Sequence, residues 1–147
     1  MKIFFLKTVT LWLLFAALNL SVCIASGSEV LIIANKEVKK ASLTRAEIKN
    51  IFLGHTTFWE DNSKITFVTL EKSDVHKSFV SQYVQKSTDQ FRAFWRRQLF
   101  IGKGMIPLAF KTEQEMVDFI AKTRGAIGYV SSSAKTNSVK IITVSDK

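Results

Sequence analysis

Two stretches decide the fold of this chain: Ile51-Phe52-Leu53-Gly54, with Trp59 five residues on, and Gly125-Ala126-Ile127-Gly128-Tyr129-Val130. The first reads as the end of a helix. Upstream of it Thr44 and Glu47 make a capping box, in which the hydroxyl accepts from an early backbone N–H and the carboxylate reaches back to the cap. Ile48, Ile51 and Phe52 then share one helical face, and Gly54 stops the helix in the left-handed conformation that only glycine takes cheaply. The second stretch reads as a strand, Ala126 to Val130, entered from a helix that has to stop at Gly125.

Working outward, Glu29 to Asn35 and Ile65 to Thr69 are short runs of branched and aromatic residues that suit buried strands, and Val139 to Val144 is another. Ser73 caps a helix over about Val75 to Lys86, whose apolar stripe is Val75, Phe79, Val80, Tyr83 and Val84. A second capping box, Ser87 with Gln90, opens a helix expected to turn Phe91, Phe94, Trp95 and Leu99 inward and Arg92, Arg96 and Arg97 elsewhere. Gly102, Gly104 and Pro107 break that pattern. Thr112 with Glu115 then opens a fourth helix through Met116, Val117, Phe119 and Ile120. About four strands and four helices, with no repeat or linker between them, predict one α/β domain.

The N-terminus carries Lys2 and Lys7, an apolar stretch from Val9 to Val22, and small residues around Ala25. That three-part pattern is a secretory signal peptide, so residues 1–25 read as a cleaved leader and 26–147 as the domain. A retained anchor is the alternative, although the stretch is at or below the ~20 apolar residues of a membrane span. Cys23, the only cysteine, follows Leu20-Ser21-Val22, which differs from a lipoprotein cleavage box at Val22. Soluble export is therefore preferred to lipid anchoring. The domain then holds no disulfide and depends on its core alone. Removing Lys2 and Lys7 takes the formal charge from +9 to +7, a balance that favours anionic partners.

In the order and spacing of these strings, nearly the whole of the chain after its leader resembles the second half of the phosphate-binding proteins of ABC transporters, a type II periplasmic binding protein family. The matching pieces are Val30 to Asn35, Ala46 to Gly54, Trp59, Ile65 to Thr69, Ser73 onward and Gly125 to Val130. The resemblance implies a single-lobe α/β fold, a periplasmic location, and recognition of phosphate or a related oxyanion for an ABC transport or sensing system. It also implies a membrane transporter or sensor as partner, with a homodimer as one way to supply a second lobe. The ligand-facing run departs from the family. Where the larger relatives carry an arginine and a glycine-rich run, this chain has Leu70-Glu71-Lys72-Ser73-Asp74-Val75-His76.

The candidate anion site is Ser73 with the backbone of Asp74 and Val75, supported by Lys72, because a helix start offers unpaired N–H donors to an oxyanion. The alternative is an ordinary helix cap. Thr56 and Thr57 could add hydroxyl donors, yet a turn needs polar residues in any case. Gly102-Lys103-Gly104 lacks the remaining positions of a phosphate loop, and Gly125 and Gly128 lack the helix that follows a dinucleotide fingerprint. His55 and His76 sit on different elements without metal-ligand spacing, and no nucleophile motif appears, so neither metal, cofactor nor enzymatic activity is expected. Arg92, Arg96, Arg97 and Lys103 beside aromatics could meet nucleic acid, but export argues against it. A protein-interaction or regulatory module that has lost ligand binding is the second reading.

Overall fold

The computed structural model of the chain describes residues 29–146 except Met105. The expected leader at residues 1–25, with Cys23 and Ala25, lies outside the described residues. Eleven elements follow one another: β1 (Val30–Ala34), β2 (Ser42–Thr44), α1 (Arg45–Phe52), β3 (Thr66–Leu70), α2 (Asp74–Phe79), a π-helical turn (Val80–Val84), α3 (Thr88–Phe100), β4 (Leu108–Phe110), α4 (Glu113–Lys122), β5 (Ala126–Ser131) and β6 (Lys140–Ser145). The strands form one mixed sheet in the order β2-β6-β1-β5-β3-β4. The α/β class is as read from the sequence, enlarged by two edge strands. Each has three residues and a single neighbour, too short to leave an alternating pattern.

All three capping boxes form, at Thr44 with Glu47, Ser87 with Gln90, and Thr112 with Glu115, so each helix start satisfies its donors locally. The segment from Ser73 departs from a regular helix. It changes to π geometry at Val80 and ends at Gln85 in the left-handed conformation, with φ of 58°. Leu99 also differs from expectation: Phe91 and Trp95 are buried, Phe94 is half-buried, and Leu99 is exposed. The last turn of α3 runs past the core, leaving Leu99 47% accessible.

Strands β3, β4 and β5 are parallel, while β1 runs antiparallel to β5 and β6. The connection from β3 to β4 runs through α2 and α3, and the return from β4 to β5 runs through α4 across β3. Right-handed crossovers in opposite directions place their helices on opposite faces of a sheet. The side chains of β5 agree. A Cβ on Gly128 would meet Met116 and Ile120 of α4, whereas the neighbouring Tyr129 stacks on Phe79 of α2, with ring centroids 3.7 Å apart and planes 6° from parallel. Gly128 is thus the thin point at which α4 can lie against the sheet.

The core is continuous from Val30 to Ile142 and includes Ile33, Ile48, Phe52, Val68, Phe79, Met116 and Ile127. Each such side chain contributes about 1.5–3 kcal/mol on burial. All of these buried side chains fall within residues 26–147, the segment expected to form the domain. Asn35 secures one end. Its Nδ2 donates to the carbonyls of Ile120 (2.8 Å) and Ala121 (3.1 Å), closing the C-terminus of α4.

The two stretches that opened the sequence reading meet directly. The Trp59 indole N–H donates to the Gly125 carbonyl at 3.0 Å, and the Thr66 N–H donates to the same oxygen at 3.2 Å. Gly125 has φ of +72°, and a Cβ there would strike the Lys64 carbonyl oxygen. Gly125→Ala should destabilise the domain by at least about 2 kcal/mol through backbone strain and clash. Trp59→Phe, which removes one of two bonds to a carbonyl, should cost about 1 kcal/mol. Urea unfolding of residues 26–147 would measure both, as a lowered midpoint at unchanged slope.

Candidate functional site

Open α/β sheets hold ligands outside the carboxyl ends of their strands, where successive connections leave toward opposite faces. Here that condition is met between β3 and β4. The chain leaves β3 toward α2 on one face and leaves β4 toward α4 on the other. The Glu71 N–H donates to the Phe110 carbonyl at 2.7 Å and ties the two strand ends together.

On the β3 side, Ser73 Oγ accepts from the His76 N–H at 3.0 Å and caps α2. Val75 is buried, while Lys72, Ser73 and Asp74 are exposed along the edge. On the β4 side, α4 starts at Thr112 and carries Glu113 in its first turn. Glu113 Oε2 accepts from the Ser131 N–H at 3.1 Å and from its Oγ at 2.9 Å, and Ser131 Oγ lies 2.9 Å from Ser133 Oγ. A cavity of about 380 Å³ opens beside these groups, with Glu113, Gln114, Ser131, Ser133 and Lys135 as its polar lining. That volume is at the lower end of small-molecule sites.

Thr56 and Thr57 are elsewhere. Thr57 O accepts from the Ile65 N–H, which fixes this turn at the amino end of β3, where His55 also lies. Five residues of strand, roughly 15 Å, separate it from Ser73. Lys72, Ser73, Asp74 and Val75 therefore form one group, and the two threonines form another. Among the described residues, no group of three or more His, Cys, Asp or Glu side chains is placed to hold a metal ion.

Four residues at this edge escaped the reading of the sequence as site residues: His76, Tyr129, Glu113 and Ser131. Tyr129 carried a signal. A tyrosine on a buried strand needs a partner for its hydroxyl. That hydroxyl accepts from the Leu70 N–H at 3.0 Å and lies 2.6 Å from His76 Nδ1. Burial holds the His76 imidazole below the ordinary histidine range, and the Arg92 cation adds to the effect. Burial likewise pushes the Tyr129 phenol up. Both groups are thus neutral near pH 7: the Tyr129 oxygen accepts from the Leu70 N–H and shares one proton with Nδ1, the donor of that bond depending on the imidazole tautomer. The chain of bonds locks the carboxyl end of β3 to the first turn of α2.

Comparison with known proteins adds the lineage. A family model described as a PBP superfamily domain matches residues 24–145. An ABC-type phosphate transport receptor from Vibrio cholerae superposes with a TM-score of 0.63 at 22% identity, over 78% of this chain and 45% of that one. A putative phosphate ABC transporter substrate-binding protein with bound phosphate, from Clostridium perfringens, gives 0.61 at 19% identity, over 78% and 44%. PstS from Borrelia burgdorferi gives 0.62 at 18%, over 80% and 48%. The chain spans less than half the length of these structures, and at such identities the likeness is one of fold. No curated protein sequence matches the chain.

Two outcomes follow from the Tyr129 bonds. Tyr129→Phe leaves the buried Leu70 N–H without an acceptor and should cost about 1–3 kcal/mol, read by urea unfolding. His76 is held below its unfolded value of 6.5, so its contribution is complete above that pH and is lost as pH falls, when the unfolded chain takes up a proton that the folded chain refuses. Unfolding midpoints between about pH 7.5 and about pH 5 should therefore fall more steeply in the wild type than in His76→Asn, which keeps an acceptor but does not titrate.

Proposed function

The chain belongs to the PBP superfamily, and from that premise we propose that it is a solute-binding domain that recognises phosphate or a related oxyanion at the carboxyl edge of β3, β4 and β5. The observation that carries this reading is the cavity beside the first turn of α4, where hydroxyls of Ser131 and Ser133, the Lys135 ammonium and the Glu113 carboxylate meet within a volume suited to a small ligand. The structures it resembles include a phosphate ABC transporter substrate-binding protein with phosphate bound. Ser73, with Lys72 and the backbone of Asp74 and Val75, contributes donors from the neighbouring helix start. Recognition is non-covalent.

Glu113 sets the chemistry of the ligand. A carboxylate repels an oxyanion unless that anion brings a proton to donate, which phosphate does near neutral pH and sulfate does not. Export through a cleaved leader at residues 1–25 would place the domain in the periplasm, beside the transporter or sensor it would serve. A homodimer would be one way to close the cleft.

One observation favours a second reading, a protein-interaction or regulatory module without a small ligand: Ser73 Oγ and Glu113 Oε2 already serve partners within the chain. Thermal unfolding of residues 26–147 separates the two. Phosphate should raise the midpoint in proportion to the logarithm of its concentration, while sulfate and chloride at matched ionic strength should not. The increment should shrink in Ser73→Ala, whatever the change in baseline from the lost cap. In Glu113→Gln the preference for phosphate over sulfate should disappear. An equal response to all salts, or none, favours the module without a ligand.

A further inference from the structure

The end of the sheet opposite the candidate site has a different character. There the last turn of α3 and the loop into β4 expose Phe100 (88% accessible), Ile106 (63%), Ile101 (52%), Leu108 (51%) and Leu99 (47%). The run is fixed in place from beneath, since Trp95 lies against both Gly54 and Gly104 and any Cβ on either glycine would press on its ring. The charge around it has one sign. Between Asp89 and Glu113 the chain contains Arg92, Arg96, Arg97, Lys103 and Lys111 and no carboxylate. Arg92 pairs with Asp89 and Lys111 lies at the carboxyl end of β4, while Arg96, Arg97 and Lys103 at the tip are exposed, with no carboxylate within salt-bridge distance among the described residues.

We propose that this tip is a docking surface for an anionic phospholipid bilayer. Three observations select that occupant. Phe100, at the end of the helix, is 88% accessible and so stands clear of the described residues around it, which suits insertion into a deformable interface more than a rigid pocket. Arg96, Arg97 and Lys103 flank the apolar residues along the chain, the combination by which interfacial segments join apolar insertion to attraction to acidic headgroups. A second copy of the domain would bring the same cations, and a formal charge of +7 without the leader, against themselves. No helix among the described residues is long and apolar enough to cross a membrane, so the attachment is peripheral. Because the tip lies at the amino ends of β3 and β4, a docked domain turns its carboxyl edge away from the bilayer.

Cosedimentation of residues 26–147 with vesicles tests this. The domain should pellet with vesicles of equal parts phosphatidylglycerol and phosphatidylcholine and remain in solution with phosphatidylcholine alone, and the affinity should fall steeply with added salt. Phe100→Ser/Ile101→Ser should weaken it by about tenfold or more. Both positions are exposed, so its urea midpoint should match that of the wild type. Arg96→Gln/Arg97→Gln/Lys103→Gln should remove the preference for the anionic vesicles. No binding to either vesicle, or equal binding by the Phe100→Ser/Ile101→Ser variant, overturns the proposal. A concentration-dependent dimer that this variant abolishes would overturn it in favour of a second copy. Binding to soluble polyglutamate but not to vesicles would overturn it in favour of an acidic protein segment.

Discussion

The carbonyl oxygen of Gly125 accepts from the Trp59 indole and from the Thr66 amide, and the parallel half of the sheet depends on that junction. It lies where β3 and β5, sixty residues apart in sequence, begin their pairing at Thr66 and Ala126. Closing so long a loop is entropically costly, and a backbone carbonyl held by two donors helps to fix its register. The positive φ of Gly125 turns the chain from α4 into β5, and its lack of a Cβ avoids a clash with the Lys64 carbonyl. From there β5 brings Gly128 under α4 and Tyr129 under α2, so both helical layers take their places from one strand.

Tyr129 carries this order toward the candidate site. Its ring stacks on Phe79 and its hydroxyl joins Leu70 to His76, connecting the apolar core to the strand end from which the chain turns into Ser73. Burial favours the neutral forms of both polar groups, so the bonds add rigidity without introducing charge. The edge above is built on rigid elements, as a recognition site requires.

Two opposing electrostatic tendencies meet at that edge. Helix starts and hydroxyls favour an anion, while Glu113 and Asp74 oppose one. Glu113 already accepts from Ser131, and so substitutes for part of what a bound anion would supply. Any anion bound beside such a carboxylate would need a proton of its own to donate, which net positive charge on the protein does not provide.

Much of this was legible in local sequence. Thr44, Ser87 and Thr112, each with an acid or amide three residues on, announced three helix starts, and Gly54 and Gly125 announced two helix ends, because capping and positive φ are properties of a few consecutive residues. The resemblance carried by Ile51–Gly54, Trp59 and Gly125–Val130 led to the family in the same way. What lay beyond it were matters of distance in space. The pairing of three-residue edge strands, the solvent-facing end of α3 at Leu99 and Phe100, the separation of Thr56 and Thr57 from Ser73, and the meeting of Glu113 with Ser131 and of His76 with Tyr129 all join or divide residues far apart in the chain. The sequence alone determined where elements begin and stop, since those signals act within one turn of chain. Which polar groups share the carboxyl edge, and which apolar ones are left at the opposite end, was decided only when the crossovers folded α2 and α4 onto opposite faces of the sheet.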